Sequence, residues 1–323
     1  MKLVKALLFA LLSISAPLLG AQTYPAKPVR VIIPYPPGGG AEAAARLLTV
    51  HLSQAMGQSF VIEPKPGGNT LIGTEMAAKS TPDGYTLLFT GGSTMSVQPF
   101  VFAGPLPYDP VNGFAPVSMV SRFPFFVVVP ASVPARTLAE FVAIAKAKPG
   151  QVAYASNGTG ALAHLGTEML SRGTGIEMLH VPYKGFAPAL PDLLSGRVSL
   201  MMADWVVVAP HIREGKLRAL AVTSRGRWPS APAVPTVAEL AIPNYAVDVW
   251  FALYAPRGTP GDIVAKLSAE TRKYLASAAA KEAYDRLGHQ AHGSPPEEVT
   301  ALVRAEHEKY AVAVREAKIS PQK

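Results

Sequence analysis

The sequence contains no cysteine. Disulfides, a thiol nucleophile, a lipid-anchored thiol and any cysteine-based zinc site are therefore excluded. An oxidising compartment permits disulfides without requiring them, so their absence does not argue against export. Histidine is also sparse, with 7 in the chain. No pair of histidines has zinc-site spacing, and His307-Glu308 lacks the second histidine of a zincin helix. No Gly-x-Ser-x-Gly nucleophile elbow occurs. Hydrolase and metalloenzyme readings thus have no positive support, and no metal ligand or catalytic residue is assigned. Beyond residue 20 no apolar run is long enough for a membrane helix. Lysine and arginine number 30 against 22 acidic residues, yet they form no block, which argues against nucleic-acid binding.

What is present begins with an export signal. Lys2 and Lys5 form a short basic segment, Ala6 to Gly20 is apolar, and Leu19-Gly20-Ala21 is a small-residue cleavage site. Residues 1–21 read as a signal peptide, with an uncleaved anchor as the alternative. Removing Lys2 and Lys5 leaves 28 basic and 22 acidic residues, a formal +6. A mildly positive surface favours anionic ligands by steering; solubility alone explains it equally well. About 300 mature residues exceed the size at which one core keeps growing, so two domains or one elaborate α/β domain are expected.

Strand-like runs alternate with helical patterns, the mark of βαβ units and a mainly parallel sheet. Val29–Tyr35, Ser59–Glu63 and Thr86–Thr90 read as strands, with helices at Glu42–Met56 and Leu71–Ser80. An irregular, proline-rich region runs from Pro99 to Pro116, and then the rhythm restarts. Strands are expected at Val117–Val120, Phe125–Val129, Val152–Ala155, Met178–Pro182, Val198–Ala203, Leu217–Thr223 and Val249–Tyr254. Thr137–Lys148 is a helix with Thr137 as N-cap and Glu140 placed for a capping box. Further helices are expected through Leu170, at Ala187–Leu194, Pro260–Ala278, Lys281–Leu287 and Pro295–Ala317. The seam at Phe123-Pro124 and the strand Val249–Tyr254 are candidate crossings between two lobes, and such crossings form a hinge.

Two glycine turns stand where a strand passes into a helix: Pro36-Pro37-Gly38-Gly39-Gly40 and Ser156-Asn157-Gly158-Thr159-Gly160. Each leaves backbone N–H groups free at the positive end of a helix dipole, an anion site in waiting. The plain alternatives are a connecting turn and ordinary helix capping. Gly38-x-Gly40-x-x-Ala43 also fits a dinucleotide fingerprint, with Glu63 in the place of the ribose-binding acid. The Pro36-Pro37 pair and an extracytoplasmic location count against that fit. His164 and His180 read as histidines that hold neighbouring loops by hydrogen bonds. Asp204 ends a strand, where α/β sheets meet their ligands; it either accepts from a ligand or organises a loop. Glu42 suits the dipole of its helix but would repel a bound anion.

Several motifs carry a family likeness. They include Tyr24-Pro25-x-Lys27-Pro28-Val29-Arg30, the Pro-Tyr-Pro-Pro-Gly-Gly turn and Pro82-Asp83-Gly84-Tyr85-Thr86-Leu87-Leu88. They continue through Pro107-Tyr108-Asp109-Pro110, His180-Val181-Pro182-Tyr183-Lys184-Gly185, Gly215-Lys216-Leu217-Arg218-Ala219-Leu220 and Ala255-Pro256-x-Gly258-Thr259-Pro260. In this series the chain resembles the tripartite tricarboxylate transporter substrate-binding proteins, or Bug-type receptors, along the mature sequence. The resemblance implies a two-lobe, flytrap-like α/β fold with two crossover strands. It divides the chain into 22–123 plus 250–323 and 124–249. It implies a periplasmic, monomeric receptor without cofactor or catalysis, which captures a small carboxylate and delivers it to a two-component membrane permease. A sensor as the downstream partner is the alternative, and an exported dinucleotide-dependent enzyme is the rival of another class. The ligand is then expected between Tyr35, Gly39, Gly40 and Ala41 on one side and Ser156, Thr159, Gly160 and Ala161 on the other. Thr90, Ser93 and Asp204 are expected to tune it. The chain departs from the pattern at Ala41-Glu42, where the family has Thr/Ser then Asp, and at Asn69-Thr70-Leu71-Ile72-Gly73, where the family favours Asn directly before Ile-Gly.

Overall fold

The computed structural model describes residues 24–317 and 319. The expected leader, residues 1–21, lies outside the described residues. The strands are β1 (Val29–Ile33), β2 (Phe60–Pro64), β3 (Thr86–Gly91), β4 (Phe114–Pro124), β5 (Phe126–Pro130), β6 (Val152–Ser156), β7 (Met178–Pro182), β8 (Leu200–Ala203), β9 (Leu217–Val222), β10 (Asp248–Pro256) and β11 (Gln290–Ala291). The helices are α1 (Gly40–Met56), α2 (Leu71–Ala78), α3 (Gln98–Val101), α4 (Leu138–Ala147), α5 (Leu162–Thr174), α6 (Phe186–Leu194), α7 (Trp205–Arg213), α8 (Val237–Leu240), α9 (Gly261–Ala276), α10 (Ala278–Arg286) and α11 (Pro296–Glu316). A π-helical turn, Ser93–Val97, leads into α3.

Two sheets organise the chain. The first has the order β11-β4-β10-β3-β1-β2 and the second β7-β6-β8-β5-β9. In the first, β2, β1, β3 and β4 run one way, with β10 and β11 against them. In the second, β5 alone runs against the other strands. Both sheets are therefore mixed rather than mainly parallel as expected: β2-β1-β3 and β7-β6-β8 pair in parallel, while β10, β11 and β5 pair antiparallel with their neighbours. Helices cover the faces, as buried parallel strands require. β3 is buried at every residue and β1 at every residue but Arg30. β5, Phe-Val-Val-Val-Pro, is buried throughout. These runs read as apolar without alternation because both faces are covered.

The chain passes between sheets at two places. β4 ends in the first sheet at Pro124 and β5 begins in the second at Phe126. β10 returns the chain to the first sheet from Asp248, slightly before the expected Val249. Thr223 ties the two crossings together. Its hydroxyl accepts from Phe125 N at 2.9 Å and donates to Val247 O at 2.7 Å. Its backbone N–H donates to Phe125 O, and its carbonyl accepts from Val247 N.

Local chemistry explains the element ends. Thr137 Oγ1 caps α4 by accepting from Glu140 N, and the Glu140 carboxylate returns to Arg136 N at 2.6 Å. Ser277 caps α10 through Ala280 N and thereby breaks the expected helix Pro260–Ala278 at Ala276. The proline-rich region is partly helical, and β4 starts at Phe114 rather than Val117. Helix α7 was not anticipated: Val206-Val207-Val208 and Pro210 argue against helix by propensity. It forms because the Asp204 carbonyl accepts from Val207 and Val208, and packing buries Val208 and Ala209.

Candidate ligand-binding cleft

A cavity of about 740 Å³ lies between the two sheets, within the range of small-molecule sites. Its walls are largely apolar, including Pro34, Pro36, Phe125, Phe186 and Phe251. The polar groups are few: the turn before α1, the loop Gly67–Thr70, the turn before α5, Tyr183, Lys184 and Asp204. The sheets also meet directly around it. Asn69 Nδ2 donates to Thr159 O at 3.1 Å, and Leu162 N donates to Ser93 Oγ at 3.2 Å. On another side Trp228 Nε1 donates to Gly288 O at 2.8 Å. The arrangement is closed.

The first glycine turn is open in its hydrogen bonding. Gly38 turns the chain with φ +84°, a conformation that side chains oppose. Gly39, the N-cap of α1, provides no side-chain cap. Gly38 N donates to Glu42 Oε2 at 2.9 Å, and Glu42 also pairs with Arg46. These contacts hold the Glu42 carboxyl below the usual carboxylate range. Glu42 does not line the cleft, so the expected repulsion of a bound anion does not arise there. Gly40 is forced to be glycine by its neighbours. A Cβ on it would stand 2.7 Å from Asp204 Oδ2 and 3.3 Å from His289 Nε2.

The second turn is consumed by internal bonds. Ser156 Oγ donates to Gly158 O, lies 2.7 Å from His180 Nε2 and accepts from Gly158 N. Gly160 N donates to His164 Nδ1 at 2.9 Å. The His164 and His180 rings stack at 3.8 Å with 7° between planes, and Tyr154 continues the stack. Burial pushes His164 down to about 3 and His180 down to about 4, so both are neutral at pH 7 and Nδ1 of His164 remains an acceptor. Both histidines therefore hold the loop beside them by hydrogen bonds.

Of the expected ligand residues, Tyr35, Gly39, Gly40, Ala41, Ser93, Thr159 and Asp204 line the cleft. Ser156, Gly160, Ala161 and Thr90 lie behind it. Ser156 and Thr90 are fully buried because their hydroxyls serve the protein itself. Thr90 Oγ1 meets Tyr35 OH at 3.1 Å and Thr94 Oγ1 at 2.8 Å, which orients the tyrosine. Gly160 packs on Val101, which a Cβ would approach to 2.6 Å. Ser93 Oγ accepts from Leu162 N across the cleft, which ties the two lobes together at that point. Asn69, Phe125, Tyr183, Lys184, Phe186 and Phe251 line the cleft without having been singled out. Only the unusual Asn69-Thr70 departure pointed to one of them. Glu63, expected at the ribose in the dinucleotide alternative, is paired with Arg30 at 2.8 Å. Among the described residues no cluster of three His, Cys, Asp or Glu could hold a metal.

Comparison with known proteins decides the family. Residues 44–318 match the family described as Tripartite tricarboxylate transporter family receptor. The chain belongs to that family. Protein BugT of Bordetella pertussis is 38% identical over 303 residues, covering 94% of this chain and 93% of BugT. R. palustris Rpa4515, solved with adipate, superposes with a TM-score of 0.89 at 33% identity, over 93% of this chain and 100% of that one. The periplasmic binding protein BugD superposes with a TM-score of 0.86 at 32% identity, again over 93% and 100%. This tripartite tricarboxylate transporter receptor thus has the two-lobe fold of periplasmic binding proteins. Among its described residues no helix is long and apolar enough to cross a membrane.

Proposed function

We propose that the protein captures a small organic carboxylate in the cleft and delivers it from the periplasm to a two-component membrane permease. The observation that carries this reading is the N-terminus of α1. It opens, without a cap from Gly39 itself, into a largely apolar cavity, where its N–H groups and dipole favour an anion. A carboxylate at Gly39, Gly40 and Ala41 would lay its carbon chain along Pro36, Phe186 and Phe251. Lys184, exposed at the cleft, suits a second acidic group at the far end. The adipate held by the related Rpa4515 supports a ligand of that chemistry. No chemical step is required, and the protein acts as a monomer. We take the lobes to be 22–123 plus 250–323 and 124–249, hinged at Phe125 and Val247 with Thr223 as the shared stitch.

The test is calorimetric titration and thermal melting of the protein freed of its first 21 residues, against mono-, di- and tricarboxylates, aromatic acids and nicotinamide dinucleotides. Saturable stabilisation by a carboxylate supports the receptor, since selective binding to the folded state raises apparent stability. Stabilisation by a dinucleotide alone would overturn it. Capture by detergent-solubilised permease only in the presence of that carboxylate would establish the delivery step.

A further inference from the structure

Asp204 occupies a position at which an aspartate ordinarily caps its own helix. It is the N-cap residue of α7, with extended backbone, yet its side chain makes no cap hydrogen bond there. The carboxyl instead reaches across the cleft to the other lobe. Its Oδ2 stands 2.7 Å from the place a Cβ on Gly40 would take, beside the first free N–H groups of α1. The side chain is buried, with 5% of the residue exposed. An acid is therefore seated at the same helix N-terminus that the proposed function assigns to the carboxylate of the ligand.

The surroundings supply no positive charge to a second anion at that place. From the turn before α1, Tyr35 faces Asp204. From the segment between α10 and β11, His289 approaches the same Gly40 position to 3.3 Å, and it is kept neutral by burial against Phe123. From α1 itself, Glu42 is turned away to Gly38 and Arg46. From the turn before α6, Lys184 lines the same cavity but is exposed. Two carboxylates cannot both ionise at one buried point without a cation between them.

We propose that Asp204 meets the ligand as a neutral carboxylic acid, so that capture of a carboxylate at the N-terminus of α1 takes up one proton from solvent. The proton resides on Asp204, whose O–H donates to a ligand carboxylate oxygen while the helix N–H groups donate to the same anion. No covalent bond changes. The inference rests on the proposed ligand site and adds its proton stoichiometry. Burial already pushes the Asp204 acid up to about 7 in the free protein, with the facing Gly40 N–H working the other way. A neighbouring anion raises it further. Net uptake is then small at pH 5, where Asp204 is already protonated, and approaches one proton per ligand at pH 8.5. Receptor affinity falls as pH rises through that range, by up to about tenfold per unit once free Asp204 is ionised.

The experiment is titration calorimetry with adipate at pH 5.5, 7 and 8.5, each in two buffers of different ionisation heat. Adipate is chosen because at pH 8.5 it carries no donor that could satisfy an ionised Asp204. The expected result is a buffer-dependent heat at pH 8.5 that corresponds to nearly one proton, and that vanishes in Asp204→Asn together with the pH slope. Binding with no buffer dependence and a flat pH profile would overturn the proposal while leaving the ligand site intact. Absence of adipate binding at every pH would count against the ligand class instead. In that case the infrared band of a protonated carboxylic acid in the free protein at pH 5.5, lost in Asp204→Asn, decides the state of Asp204. No such band would overturn the proposal whatever ligand is found.

Discussion

The two glycine turns look alike in sequence and differ in what they offer. Each follows a buried strand and precedes a helix. At the first, Gly38 N donates to Glu42, Gly40 N faces the Asp204 carboxyl, and Gly39 and Ala41 line the cleft. At the second, Gly158 N, Gly160 N, Ala161 N and Leu162 N are each committed to a protein acceptor. The first turn thus keeps its capacity to bind an anion, and the second spends most of its own on stiffness. A helix N-terminus is an anion site only while its donors stay unpaired. The lesson is that the lobes divide the labour: one presents charge-complementary donors, the other a rigid wall that includes Thr159.

The division can be broken most severely at Gly40. Gly40→Ala is expected to weaken adipate binding by about ten- to hundredfold, because its Cβ collides with Asp204 and holds the lobes apart, an overpacking cost of about 1–3 kcal/mol. The melting temperature of the free protein should fall as well, since Asp204 stands at that place without ligand. Calorimetry and a thermal melt on the same sample check both halves. An unchanged affinity would remove the first turn from the binding site.

His164→Phe tests the rigid wall. It keeps the aromatic stack on His180 but deprives Gly160 N of its acceptor, an expected loss of about 1–3 kcal/mol in stability. The pH profile should change as well. The folded-state pKa values of His164 and His180 lie below the ordinary 6.5, so their contribution is present above pH 6.5 and is lost as pH falls toward 4 and 3. Asp204 has the opposite sign: its raised acid contributes stability at about pH 4 that is lost as pH rises toward 7. Melts from pH 7 to pH 4 should therefore show a shallower acid decline in His164→Phe and a steeper one in Asp204→Asn. The smallest effect is expected at Thr159→Val. Thr159 lines the cleft, and loss of its hydroxyl should cost about 1 kcal/mol, roughly a fivefold weaker Kd by calorimetry. A Thr159→Val effect larger than that of Gly40→Ala would invert the comparison between the turns.

Much of this architecture is legible without coordinates. Met178–Pro182 is a strand at the expected residues, Thr137 is the expected cap, and the two crossings fall beside Phe123-Pro124 and Val249. These features rest on local signals: buried β-branched runs, a hydroxyl followed by glutamate, and a change of rhythm. Helix α7 was not legible because Val206-Val207-Val208 favours a strand, and only packing and the Asp204 carbonyl reverse that preference. Ser156, Gly160, Ala161 and Thr90 were placed at the ligand by the family resemblance, which does not show what each group already binds. Ser156 meets His180, Gly160 packs on Val101, and Thr90 meets Tyr35 and Thr94, partners that lie 4 to 59 positions away in no sequence pattern.

The sequence by itself determined that this is an α/β chain without cysteine, with two glycine turns at helix starts and a family likeness along its length. Those properties follow from composition, period and short motifs, which act within a few residues. Tertiary structure alone decided which amides remain free, which hydroxyls are already spent, and that Asp204 abandons its own helix for the N-terminus of α1. Each of those depends on groups brought together from different lobes, where burial and the lack of a nearby cation set the charge that a local pattern cannot foretell.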